Sequence, residues 1–158
     1  MFESLRAHQE RNNMQYYISY FGQMKNFPSN VLPVSTVKWE QEWFRGKIPH
    51  IDELVMPDNL VYQIEQKGEM CRKNCPLKAP CLFMLEFRKY LDTLNFEQLI
   101  TKLELLTIDK PYIDTIILMV YEKTDVPCAE RPVLQAWFKD NGLELKEWTK
   151  PSKEKSLF

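Results

Sequence analysis

The run TIILMVY, residues 115–121, constrains the fold more than any other stretch of the chain. Its apolar side chains do not alternate with polar ones, so a strand built from it must be covered on both faces. Strands of that kind sit inside parallel sheets. Parallel neighbours cannot be joined by tight hairpins and need long crossover connections, usually helical. The run therefore predicts helices on either side of it, and the sequence provides them.

Upstream, FMLEFRKYLDTL places Phe83, Met84, Phe87, Tyr90, Leu91 and Leu94 at helical spacing. A second helix over 96–106 follows, with Phe96, Leu99, Ile100, Leu103 and Leu106 on one side and Asn95 with Gln98 as its capping pair. Downstream, Pro132 suits a helix's first turn, Val133, Leu134, Trp137 and Phe138 form its apolar side, and Gly142 provides the stop. MQYYISYF (14–21) and NVLPVSTV (30–37) read as strands, the second at an edge or with a late start because Pro33 lacks an N–H. LELKEW (143–148) alternates like a strand. The expected architecture is a single three-layer, Rossmann-like α/β domain with a mainly parallel sheet. It spans 14–148, with an inserted Cys-rich loop at 70–81, an arm at 1–13 and a solvated tail at 149–158. Ligands of such sheets bind at the carboxyl ends of the strands, which the segments 35–50 and 122–131 leave.

With 158 residues, 44% of them hydrophobic, the chain can bury a core without disulfides. Its 21 basic and 22 acidic side chains give a net charge of −1, which excludes a global field for nucleic acid. Neither glycine-rich phosphate-loop pattern occurs. No apolar run is long enough to span a membrane, and MFESLRAHQERNN lacks the apolar core of a signal peptide. The expectation is a cytoplasmic protein with no membrane partner, in which cysteines stay reduced.

Three of the four cysteines fall within MCRKNCPLKAPC, residues 70–81. Clustered thiolates in a reducing compartment point to a metal. Cys71, Cys75 and Cys81 supply three ligands and Cys128 the fourth of a tetrahedral zinc site, with His50 as the alternative fourth. Pro76 directly after Cys75 also suits an iron–sulfur cluster. The competing readings are plain thiols acting as small hydrophobes and a redox disulfide.

The segment EKTDVPCAERP combines charge with the start of a helix, where anions are stabilised. Glu122, Lys123, Glu130 and Arg131 are the candidate catalytic residues of an anion pocket there, against loop charges in water as the alternative. Trp39, Trp43 and Arg45 are candidates to stack on and neutralise a nucleotide or nucleic-acid strand, against tryptophans that anchor a loop to the core. Ser35 ends the second strand beside them.

Three stretches resemble the bacterial and phage domain-of-unknown-function family numbered 488: VSTVKWEQEWFRGKIPHIDELVMP, FRKYLDTLNFEQLITKLE and IILMVYEKTDVPCAERPVLQAWFKDNGLELKEW. The last resembles that family's strand ending in Tyr-Glu-Lys, followed by Cys-His-Arg and a helix reaching a tryptophan. Counted back from Trp137, Glu130 and Arg131 occupy the His-Arg positions here, and Cys128 lies one residue early. The resemblance implies an α/β fold with a site on the strand rim that includes Ser35. It implies no reaction. The sequence thus predicts a metal-binding domain acting on a phosphate-bearing ligand, or a non-catalytic module that binds a protein partner and uses zinc as a staple.

Overall fold

A computed structural model describes residues 14–37, 48–57, 82–120 and 130–150. Four strands, β1 (Gln15–Tyr20), β2 (Val31–Ser35), β3 (Thr115–Val120) and β4 (Lys146–Glu147), form one sheet in the order β2-β3-β1-β4. Every pairing is parallel. The α/β architecture and parallel sheet are as the 115–120 run requires. β3 lies between β1 and β2, and Ile116 to Val120 are fully buried. β2 is the edge where Pro33 is tolerated, apart from a bridge between Ser35 and His50 that covers its last residue. β4 is far shorter than the alternation over 143–148 predicts.

The helices are α1 (Leu82–Leu91), α2 (Phe96–Leu105) and α3 (Glu130–Asp140). All three bury their apolar sides against one face of the sheet, on Tyr16, Ile18, Leu32, Val34, Ile116, Leu118 and Val120. Asn95 caps α2 as expected: its side chain accepts the Gln98 N–H at 3.1 Å. Phe96 meets Trp137 and Phe138 edge to face at 5.1 Å, locking the start of α2 to the end of α3. Gly142, at φ 88°, closes α3: its N–H reaches Lys139 O and the Leu143 N–H reaches Phe138 O, both at 3.0 Å. Tyr16 donates to Glu104 on α2 at 3.2 Å, and burial pushes its phenol pKa upward, so it remains a donor.

The opposite face carries no α-helix among the described residues. A 3₁₀ turn at Phe21–Asn26 covers it with Phe21, Met24 and Phe27, joined by Ile48 and Trp148, over Val31, Ile117 and Met119. The link from β1 to β2 crosses this aromatic face in one direction along the sheet. The links from β2 to β3 and from β3 to β4 carry their helices over the other face in the opposite direction. All three crossovers therefore share one hand, as parallel connections do.

Candidate functional site

The crossovers set where the sheet opens. β1 and β3 are neighbours, with Tyr20 level with Val120 at their carboxyl ends. The chain leaves β1 toward the aromatic face, whereas β3 leads to α3 on the helical face. In open α/β sheets, ligands bind outside the carboxyl ends of two such adjacent strands, where their continuations part to opposite faces. The ends of β2 and β4 flank that place. Because α3 precedes β4 in a parallel sheet, it runs back against the strand direction. Its amino end therefore faces this rim.

Arg131, the second residue of α3, is drawn out of solvent rather than presented to it. Its side chain is 6% exposed, and Nε lies 2.6 Å from Glu147 Oε1. The guanidinium carbon is 6.0 Å from the centre of the Tyr20 ring. Glu147 continues the row of Leu143 and Leu145 onto the helical face, where its partner strand position is Ile18. Burial pushes the Glu147 carboxyl pKa up, and the nearby arginine opposes that only in part. Tyr20 accepts a hydrogen bond from Gln23 at 2.9 Å, and Gln23 in turn accepts from Asn26 at 2.9 Å, which fixes the ring. Glu130 opens α3 and complements the positive end of its dipole.

Ser35 ends β2 at the rim but faces the aromatic side in a row with Met119 and Ser19. It is fully buried, and its hydroxyl accepts the Val37 N–H at 3.4 Å. In this arrangement it is enclosed and offers nothing to a ligand. Next to it, Thr36 donates its hydroxyl to Met119 O at 2.8 Å and ends the pairing of β2 with β3. Ser19 is also fully buried, and its hydroxyl has no hydrogen-bond partner among the described residues.

His50, the alternative fourth metal ligand, has both ring nitrogens engaged. Nδ1 lies 2.7 Å from Asp52 Oδ1 and Nε2 2.5 Å from Val37 O. A carbonyl only accepts, so Nε2 carries a proton and has no lone pair for a metal. His50 pins the chain leaving β2 to the chain returning at Pro49, where Ser35 N–H reaches Pro49 O at 2.9 Å. Among the described residues no group of three His, Cys, Asp or Glu side chains is placed to hold a metal.

Of the candidates read from the sequence, the structure brings Glu130, Arg131 and Ser35 to one rim. Trp39, Trp43, Arg45, Cys71, Cys75, Cys81, Glu122, Lys123 and Cys128 lie outside the described residues. Glu147 and Tyr20 were not singled out. The signal for Glu147 was present: in LELKEW it falls on the apolar phase of the alternation, and a carboxylate there needs a cation. No helix among the described residues is long and apolar enough to cross a membrane. No protein-family model matches the chain, and neither does any curated protein or solved structure.

Proposed function

We propose that this is a ligand-binding α/β domain whose site is the crevice at the carboxyl ends of β1 and β3, taking a phosphate-bearing ligand such as a nucleotide or nucleic-acid segment. The observation that carries the reading is the parting of the β1 and β3 continuations to opposite faces. Arg131 and the amino end of α3 supply positive potential there. Glu122 and Lys123 follow β3 after Tyr121 in the sequence, and the likeness to the 488 family directs attention to the same segment.

The zinc site is part of this proposal. Cys81 directly precedes α1, and Cys128 stands two residues ahead of α3. Arg88 of α1 is bonded to Asp140 at the carboxyl end of α3 at 2.7 Å. In this proposal Cys71, Cys75, Cys81 and Cys128, all outside the described residues, supply the four thiolates. Such a closed set has no open position for water and serves as a staple.

A second reading, a non-catalytic interaction module, is favoured by the exposed Leu105, Ile108 and Tyr112 near the end of α2. Ligand-detected NMR with nucleotides and short oligonucleotides separates the two. Binding by wild type that is lost in Arg131→Ala supports the crevice. Binding that survives the substitution moves the site elsewhere, and no binding leaves the interaction module ahead. Elemental analysis of untagged, anaerobically purified protein tests the staple. One zinc per chain, lost in Cys71→Ser, is expected, iron with sulfide would make it a cluster, and no metal would return the cysteines to plain thiols.

A further inference from the structure

We infer that Glu147 is the resident anion of the crevice: it holds Arg131 when no ligand is bound and yields it to an incoming phosphate. The inference rests on the ligand-binding reading above and adds how that site is guarded. Arg131 and Glu147 lie 2.6 Å apart across the join of α3 and β4. Glu147 is an imperfect partner. Its Oε2 is buried without a hydrogen-bond partner among the described residues, and its side chain is 23% exposed against 6% for the arginine. Burial works against its charge more than the arginine supports it, since the net shift is upward.

A phosphate is a stronger competitor. It brings more acceptor oxygens to a guanidinium built for bidentate recognition. It also arrives at the amino end of α3, whose dipole favours a second negative charge. Side chains on a helix lean toward its amino end, which favours an arginine in the first turn reaching an anion there. A rotation of the guanidinium away from Glu147 turns it toward the incoming anion. The Tyr20 ring, fixed through Gln23, gives the cation an aromatic surface beside that path. Glu147 then serves as a positioning residue: it keeps a buried arginine ordered and raises the threshold an anion must exceed.

The test is titration of the full chain with inorganic phosphate, followed by calorimetry or amide shifts, for wild type, Glu147→Gln, Glu147→Asp and the double variant Arg131→Gln/Glu147→Gln. Removing the competing charge is expected to tighten phosphate binding about tenfold in Glu147→Gln, and shortening its reach to tighten it less in Glu147→Asp. The gain is expected to vanish in the double variant. A purely structural Glu147 predicts the opposite, weaker binding in both single variants. Wild-type binding with no gain in Glu147→Gln overturns this inference and leaves the crevice standing. If Glu147→Gln fails to fold, Glu147→Asp decides by the same criterion. Absence of phosphate binding in wild type and both single variants overturns the inference together with the crevice.

Discussion

Glu147 makes the fold sensitive to pH in a direction opposite to that of most carboxylates. Its pKa in the folded chain is raised above the ordinary value near 4.5, chiefly by burial. A raised pKa means that its contribution is complete at low pH and is lost as pH climbs through the folded value. Glu147→Gln cannot ionise and escapes that loss. The difference in melting temperature, variant minus wild type, is therefore expected to grow between about pH 4 and about pH 8. Thermal melts across that range check it, and a difference that shrinks with pH would mean that Arg131 dominates the carboxylate. Gly142 is a second residue with a defined role. At φ 88° its neighbourhood is empty, so Gly142→Ala meets no clash but must adopt a left-handed backbone. The expected loss is about 1 kcal/mol in chemical denaturation. The two residues differ in how legible they were. Gly142 could be read from its place after an amphipathic helix. The Arg131–Glu147 pair joins positions 131 and 147, and no local pattern reports which cation a buried carboxylate will meet.

At the scale of elements, the long periodic segments were legible and the short ones were not. The bounds of α1, α2, α3 and β3 follow the periodicity closely, because each buries a continuous stripe whose phase the sequence displays. Asn95 starts α2 by accepting the Gln98 N–H, so Asn95→Ala is expected to cost about 1 kcal/mol, read by urea unfolding. Phe138 is fully buried between Phe96 and Trp137, and Phe138→Ala is expected to cost about 3–5 kcal/mol by the same measurement, with the α2–α3 junction loosened. A loss below about 1 kcal/mol would contradict the packing described. The 3₁₀ turn at Phe21–Asn26 escaped the sequence reading, because its aromatic residues shield a sheet face without a helical stripe. β4 was overestimated for a related reason. Alternation over 143–148 reflects burial of Leu143 and Leu145, while only Lys146 and Glu147 find a strand to pair with.

For the molecule as a whole, the sequence announced a parallel sheet but not its order. The apolar run at β3 requires cover on both faces, yet nothing local says that β1 and β2 pair with it, or that β4 joins β1. The proposed crevice rests on that order, which sets β1 beside β3 while the chain leads from them to opposite faces. Ser35, a ligand-binding candidate of the sequence, reached the rim but turned inward, because its strand phase assigns it to the aromatic face beside Met119. The central claim is thus one of place: ligands bind where β1 and β3 end. Amide chemical-shift mapping during titration with a nucleotide tests it most directly. The account predicts that the largest changes fall on Tyr20, Phe21, Val120, Glu130 and Arg131. Changes confined to the far edge of the sheet, around Asp114 and Thr115, or to the exposed side of α2, would contradict it.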